Sequence, residues 1–154
     1  MYWLIKSEPS TYSIDDLAKE KNKTSYWDGI RNYQARNFMR DDMKVGDLAF
    51  FYHSSCPQPG IVGEVKIVTS AYPDHTALDP ESKYYDAKSS KDNPRWVMVD
   101  LKLEKKYPKL LSLSHLKTID GIADMQLLKR GNRLSITPVT KKQWQIITKL
   151  ADHA

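Results

Sequence analysis

Aromatic, basic and amide side chains are concentrated in residues 26–40, YWDGIRNYQARNFMR, a mixture that an ordinary amphipathic helix does not need. Asp28–Gly29 predicts a turn, because glycine reaches positive φ without steric cost. After the turn, Asn32 is a predicted N-cap, and residues 33–40 are all compatible with a short helix. Trp27 therefore lies just before a helix N-terminus, where a flat indole suits a flat, polar ligand. The alternative is that Trp27 is one more core aromatic.

Three aromatic residues, Trp27, Tyr33 and Tyr52, have polar or charged neighbours and lie near the ends of predicted elements. Such rings can stack on a nucleobase, which contributes about 1–3 kcal/mol per base. Adjacent polar side chains can then read the Watson–Crick edge of that base. His53 and Ser54, which follow Tyr52, would supply such groups. These residues fit a base-binding pocket and a wall of the core equally well, and His53 also fits an ordinary loop histidine.

Signatures of catalysis and of cofactor binding are missing from the sequence. There is no Walker loop, no GxGxxG, no GxSxG and no His/Cys spacing typical of zinc, so we predict no catalytic residue, no metal and no cofactor. Cys56 lies three residues from His53, but it stands in a proline-containing turn and is better explained as an ordinary free thiol. Glu8 and Asp28 could act as an acid–base pair if the fold brings them together.

Length and composition predict one globular domain, residues 1–154. The 24 basic and 19 acidic residues give a net charge of +5, which permits nucleic-acid binding without demanding it. No apolar run approaches the ~20 residues of a membrane span, and no secretory signal is recognisable. The single cysteine excludes an internal disulfide and fits a reducing compartment. We therefore expect an intracellular, cytoplasmic protein, nuclear in a eukaryotic cell, that binds no membrane and is a monomer.

The elements that would position these residues are predicted from hydrophobic periodicity and capping residues. Strands are expected near residues 2–6, 47–53, 61–72, 95–104 and 133–138, with Gly63 marking a bulge or a close backbone approach. Helices are expected to begin at Ser13, Asn32, Ser114, Asp124 and Thr140, the last with Trp144 in the core. Residues 73–94 form a polar excursion of a length that is usually functional or mobile. The prediction is an α+β domain on a curled mixed sheet or small barrel of mostly sequential strands.

Several segments together resemble the EVE domain family over almost the whole chain. They are YWLIKSEP at residues 2–9, WDGIRNYQARN at 27–37, FFYHS at 50–54, AYPD at 71–74, DNPRW at 92–96 and RLS at 133–135. The resemblance implies a PUA-like fold, a small mixed or antiparallel β-barrel of five or six strands with peripheral short helices. It also implies a non-catalytic nucleic-acid reader that holds a modified nucleobase, often a modified cytosine in DNA, in an aromatic and polar pocket.

The related YTH domains, which read N6-methyladenine in RNA, have a tryptophan where Trp27 falls, so the resemblance makes Trp27 one wall of a base cage. A second wall is not identifiable in the sequence. The ligand- or base-binding residues expected on this basis are Lys6, Ser7, Glu8, Trp27, Asn32, Tyr33, Tyr52, His53 and Ser54. Arg31 and Arg36 are expected to bind phosphate.

Two other functions are compatible with the same residues. The chain could be an enzyme that acts on a modified nucleobase or nucleotide, with Glu8, Asp28 or His53 as the acid–base group. It could also be a protein-interaction module, which requires a contiguous exposed apolar patch that the sequence does not locate. The expected partner is a nucleic acid, DNA or RNA, or a nucleotide that carries a modified base.

Overall fold

The computed structural model describes residues 1–131 and 134–152. Within those ranges the strands are β1 (Tyr2–Ser7), β2 (Thr24–Trp27), β3 (Leu48–His53), β4 (Gly60–Ile67), β5 (Tyr72–Pro73), β6 (Val97–Ser112) and β7 (Ile136–Val139). The α-helices are α1 (Ile14–Lys19), α2 (Tyr33–Asn37), α3 (Leu113–Leu116) and α4 (Lys141–Asp152). Short 3-10 helices span Lys21–Lys23, His75–Leu78 and Gln126–Leu128, and one π-helical turn, Phe38–Asp42, continues α2.

The strands form one mixed sheet in the order β2-β6-β4-β3-β1-β7, with β5 paired to β6. β1 runs parallel to β3, whereas the other pairs are antiparallel. The predicted α+β class with short helices is confirmed. The described residues form seven strands rather than five or six, and their order is not sequential, because the sixteen-residue strand β6 pairs with β2, β4 and β5. Among these residues β2 and β7 end the sheet, so the strand path does not close into a ring.

Alternating side chains of the strands divide the core into two layers. Trp3 and Ile5 of β1 pack with Phe51 of β3 on one face of the sheet. Leu4 of β1 and Phe50 of β3 pack on the other face of the sheet against α4, where Trp144 is buried. Trp3 is 0% and Trp144 6% exposed, which confirms both as core residues.

Side-chain caps begin three helices where the sequence predicts them. Ser13 and Asp16 form a capping box at α1, and Thr140 and Gln143 form one at α4, with bonds of 2.9 and 3.1 Å. The Asn32 side chain accepts from the Ala35 amide at 3.0 Å and starts α2. The predicted cap Ser114 is wrong, because β6 continues to Ser112 and the Ser112 hydroxyl accepts from the His115 amide at 3.2 Å.

Gly63 lies at a close approach between β4 and β6. The register of β4 shifts beside it, and a Cβ at this position would lie 2.4 Å from the Lys105 carbonyl oxygen, so the predicted close approach is confirmed. The strand expected at 61–72 ends at Ile67 and resumes as β5. The strand expected at 133–138 begins at Ile136, and Arg133 lies outside the described residues. The helix expected from Asp124 is the 3-10 turn Gln126–Leu128.

Candidate functional site

A cleft of about 1000 Å³ opens at the end of β1. Its lining comes from the last residues of β1 and the loop that follows, from β2 and the turn after it, from residues 83–84, and from Asp100 of β6. The turn and residues 83–84 belong to the two segments that the sequence marks as unusual, residues 26–40 and 73–94. Both β2 and β5 pair with β6, which brings these two distant segments to one place.

Four of the residues predicted to bind a ligand line this cleft: Lys6, Ser7, Glu8 and Trp27. The Ser7 side chain is nearly buried, and its hydroxyl donates to the Tyr12 carbonyl at 2.5 Å. Burial lowers the pKa of the Lys6 ammonium, as expected for a cation that loses part of its water. The other predicted residues lie outside the lining.

Trp27 is partly buried and its ring is held by two other aromatics. The indole meets Phe51 edge-on with centroids 5.6 Å apart and Tyr12 edge-on at 6.3 Å. Edge-to-face contacts of this kind hold a ring in one orientation. Trp27 therefore packs against the core through one part of its ring and also lines the cleft. Each of the two interpretations, core aromatic and pocket wall, is correct in part.

The turn after Trp27 is fixed by two contacts with the long excursion. Gly29 has φ of +77°, and its amide donates to the Asp74 carboxylate at 3.0 Å. The ring of Tyr84 lies against Gly29, where a Cβ would come within 2.5–2.8 Å of three ring carbons. A side chain at this position would therefore be strained by its φ and would displace Tyr84.

Asp74 is the anchor of this turn. Its side chain is fully buried and accepts from Gly29, from the Arg31 guanidinium at 3.0 Å and from the Thr76 amide at 2.8 Å. Burial acts to raise the pKa of Asp74, but the hydrogen bonds from Thr76, Gly29 and Arg31 outweigh it and hold the pKa below its usual value. The carboxylate is thus charged and fully engaged inside the protein.

Arg31 directs all five of its N–H groups inward. Nε and Nη2 donate to the Tyr84 carbonyl at 3.0 and 2.6 Å, and Nη2 also donates to Thr76 Oγ1 at 3.3 Å. Nη1 donates to the Ile30 carbonyl at 2.9 Å and to Asp74. Because a guanidinium has five N–H donors, none is left for a phosphate, and the phosphate-binding role predicted for Arg31 does not fit this arrangement.

Arg36 and Tyr33 belong to a second aromatic cluster beside the cleft. The Tyr33 ring stacks on Trp96 with centroids 4.9 Å apart, and the Arg36 guanidinium lies 4.7 Å from the Tyr33 centroid. Arg36 also donates to the Arg95 carbonyl at 3.0 Å. Tyr33 is 51% exposed, yet neither it nor Arg36 lines the cleft.

The remaining predicted residues have structural contacts. The Asn32 side-chain oxygen is used in the α2 cap, and Tyr52 is 3% exposed within the second core layer. His53 Nε2 accepts from the Ile14 amide at 3.1 Å, and burial lowers the pKa of His53. The Ser54 amide donates to the Ser7 carbonyl at 2.9 Å. These four residues therefore contact the protein itself and do not line the cleft.

The cleft also contains aromatic and acidic residues that the sequence did not mark as ligand-binding groups. The aromatic ones are Tyr12, Tyr26 and Tyr84, and the acidic ones are Glu20, Asp28 and Asp100. Asp28 is also a candidate acid–base group, and burial together with the charge of Asp74 raises the pKa of its carboxyl. The unusual length of the excursion at 73–94 is the one sequence signal that points toward Tyr84. A cleft lined in this way can stack a flat ligand and accept hydrogen bonds from it.

Two features are absent from the described part of the chain. In residues 1–131 and 134–152, no group of three or more His, Cys, Asp or Glu side chains is placed to hold a metal ion. No helix in those ranges is long and apolar enough to cross a membrane.

Known proteins match this chain along almost its whole length. The family model for the EVE domain matches residues 1–150. Thymocyte nuclear protein 1 from Gallus gallus is 45% identical, over 99% of this chain and 69% of the relative. A crystal structure of a Pseudomonas putida protein superposes with a TM-score of 0.93 at 52% identity, covering 98% of this chain and 99% of that one. The crystal structure of human THYN1 protein in complex with 5-methylcytosine-containing DNA superposes with a TM-score of 0.92 at 41% identity, covering 98% and 97%.

Proposed function

This chain belongs to the EVE domain family, and from that premise we propose that it binds nucleic acid and holds a modified base, a modified cytosine in DNA, in the cleft beside Trp27. Two observations together support this proposal. The cleft contains an anchored, partly buried tryptophan. The fold that forms it superposes on human THYN1 protein, whose structure was solved with 5-methylcytosine-containing DNA.

Trp27 supplies the stacking surface in this proposal. Ser7, Lys6 and Glu8 lie beside it in the lining and offer polar groups to the base or its sugar. Arg31 acts as a positioning residue, because its donors bind the protein rather than a ligand. Lys83, an exposed lysine of the lining, would meet the phosphates, so affinity should fall as salt increases.

We further propose that residues 1–154 form one domain that acts as a monomer, catalyses no reaction and works in the cytoplasm, or in the nucleus of a eukaryotic cell. RNA is the other nucleic acid that the cleft could accept, because a stacking ring and polar groups of this kind serve both. Binding assays should therefore include both nucleic acids.

The test is binding of the purified protein to oligonucleotides of one sequence that carry cytosine or 5-methylcytosine, as DNA and as RNA, at two salt concentrations. We expect preference for the modified DNA. Loss of a stacked base contact costs about 1–3 kcal/mol, so Trp27→Ala should weaken binding roughly 5- to 150-fold. Circular dichroism and thermal unfolding of Trp27→Ala would establish that the fold is retained, and Trp27→Phe, which keeps a ring, should retain part of the affinity.

Tyr33→Ala is the matched control, because Tyr33 is an exposed aromatic in the neighbouring cluster and lies outside the cleft lining. It should change affinity far less than Trp27→Ala. Equal losses for the two variants would show that the base does not bind against Trp27. Equal binding of modified and unmodified oligonucleotides by the wild-type protein would exclude a modified-base reader.

One observation favours the second candidate, an enzyme acting on a modified base: Glu8 and Asp28 both line the cleft, and two carboxyl groups in one site are what an acid–base pair requires. His53 is a weaker candidate, because its Nε2 lone pair is engaged by the Ile14 amide. The discriminating experiment is incubation with modified oligonucleotides and nucleosides, followed by mass spectrometry. A product that disappears in Glu8→Gln or Asp28→Asn would replace the reader assignment with an enzymatic one.

A further inference from the structure

Asp28 occupies a fixed position directly after Trp27, at the end of β2. It lines the cleft and is partly buried. The backbone that follows it cannot shift easily, because the Gly29 amide is bound by Asp74 and the Tyr84 ring lies against Gly29. A side chain held between a strand end and a braced turn is preorganised in the way that specific recognition requires.

The Asp28 carboxyl still has acceptor capacity to offer. In the described ranges no other residue donates a hydrogen bond to it. Asp100, by contrast, accepts from the Tyr72 hydroxyl at 2.5 Å, and Glu20 accepts from the Tyr12 hydroxyl at 3.2 Å. The Glu8 side chain is exposed to solvent. Among the carboxylates of the lining, Asp28 is thus the partly buried one that accepts no hydrogen bond from another residue of the described ranges.

We propose that the Asp28 carboxylate accepts a hydrogen bond from the exocyclic amino group of the base stacked on Trp27, so that the cleft selects amino bases over keto bases. This inference rests on the proposed function, because it names the edge that a bound base presents. Cytosine carries an N4 amino donor and adenine an N6 amino donor, whereas thymine and uracil present a carbonyl oxygen at the same place. A carboxylate attracts the amino groups of cytosine and adenine and repels the carbonyl oxygens of thymine and uracil.

The surrounding charges agree with this assignment. Four carboxylates, Glu8, Glu20, Asp28 and Asp100, line the cleft, against two lysines, Lys6 and Lys83. In a protein whose net charge is +5, this local excess of negative charge disfavours entry of a phosphate. The base is then the part of a nucleotide that enters, and the phosphates stay outside, where the exposed Lys83 can meet them. The carboxylates of the lining can accept hydrogen bonds from the donor groups of that base.

The experiment uses oligonucleotides that differ at one base in a single exchange of amino for keto. 5-Methylcytosine and thymine both carry the 5-methyl group and differ at position 4 and in the N3 proton. Adenine and hypoxanthine make the corresponding pair at position 6, and the pair that shows discrimination identifies which ring the cleft holds. Since a specific base contact contributes about 1–3 kcal/mol, the wild-type protein should bind the amino member roughly 5- to 150-fold more tightly.

Asp28→Asn should remove this preference, because the amide can donate to a keto oxygen as well as accept from an amino group. We expect the ratio of the two dissociation constants to fall below about threefold, as for a single weak hydrogen bond. Trp27→Ala should weaken binding of the amino and the keto oligonucleotide alike, since stacking does not distinguish the hydrogen-bonding edges of the two bases. Asp41→Asn, a control at an exposed carboxylate outside the cleft lining, should keep the wild-type ratio.

The outcomes separate the two proposals. If Asp28→Asn is folded, by its thermal unfolding curve, and keeps the wild-type ratio, Asp28 does not read the base and the inference is wrong, although a modified-base reader would stand. Equal affinity of the wild-type protein for 5-methylcytosine and thymine, and for adenine and hypoxanthine, would also overturn the inference. Failure of the wild-type protein to bind any of these oligonucleotides would instead contradict the proposed function itself.

Discussion

The Arg31 guanidinium and the Asp74 carboxylate form an ion pair at 3.0 Å between residues 43 positions apart in the chain. The Asp74 side chain is 0% exposed and that of Arg31 23%. Through this pair the turn after Trp27 is fastened to the long excursion, and the Tyr84 carbonyl completes the connection. One wall of the cleft is thereby braced by residues that need not touch a ligand.

Removing this carboxylate should destabilise the protein substantially. Asp74→Ala would leave Arg31 partly buried without its counter-ion and the Gly29 amide without an acceptor. Breaking a buried ion pair typically costs about 3–5 kcal/mol, and we expect a loss near the lower end of that range because Arg31 retains some access to water. Urea denaturation at neutral pH would measure the change.

Asp41→Ala provides the matched control, since Asp41 also pairs with an arginine, Arg40 at 2.8 Å, but both side chains are about half exposed. Exposed pairs of this kind contribute little to stability, so no measurable change is expected. If the two variants lost the same stability, the braced turn would not depend on the buried pair.

Gly29→Ala should destabilise the protein more than Gly46→Ala. Both glycines have positive φ, +77° and +95°, so both variants suffer the backbone strain of about 1–2 kcal/mol that an L-residue meets there. A Cβ at Gly46 meets nothing within 4 Å, whereas one at Gly29 collides with the Tyr84 ring. Thermal unfolding should therefore show the larger loss of stability for Gly29→Ala, by about 1 kcal/mol, the low end of the cost of overpacking, because the Tyr84 ring can shift in part. A larger loss in Gly46→Ala would contradict the contact between Gly29 and Tyr84.

His53 should make the protein less stable as the pH falls. Burial lowers the pKa of His53 in the folded state; the charge of Asp15 opposes this shift, and that of Lys106 adds to it, but burial is the largest effect. The His53 Nε2 can accept from the Ile14 amide while the imidazole is neutral. As the pH drops below the unfolded-state value of about 6.5, the unfolded chain binds a proton before the folded one does. Stability is therefore present above that value and is lost between it and the lower folded-state pKa.

His53→Gln tests the role of this histidine, because a glutamine oxygen can accept from the Ile14 amide but does not titrate. The melting temperature of the wild-type protein should fall more steeply than that of His53→Gln between about pH 7.5 and about pH 5.5, which spans the unfolded-state pKa. Parallel curves would show that other groups cause the acid sensitivity.

The sequence by itself determined the features that depend on neighbouring residues. The capping boxes at Ser13 and Thr140, the Asn32 cap and the turn at Gly29 all follow from side chains within four positions of one another. The close approach at Gly63 was also predictable, because a glycine inside an apolar strand typically marks a bulge or a site where another backbone comes near. The family resemblance, carried by long unbroken segments such as WDGIRNYQARN, likewise required no coordinates.

Tertiary structure decided which of the candidate residues meet. Trp27, Ser7, Lys6 and Glu8 reach the same cleft because β2 and β1 are placed by strand pairing with β6 and β3. The Arg31 guanidinium, predicted to bind phosphate, instead donates hydrogen bonds to Tyr84 and Asp74, which are more than forty residues away in the sequence. A guanidinium or a carboxylate looks equally available in any sequence, and only long-range packing determines whether its hydrogen-bonding groups are satisfied within the protein or left for a ligand.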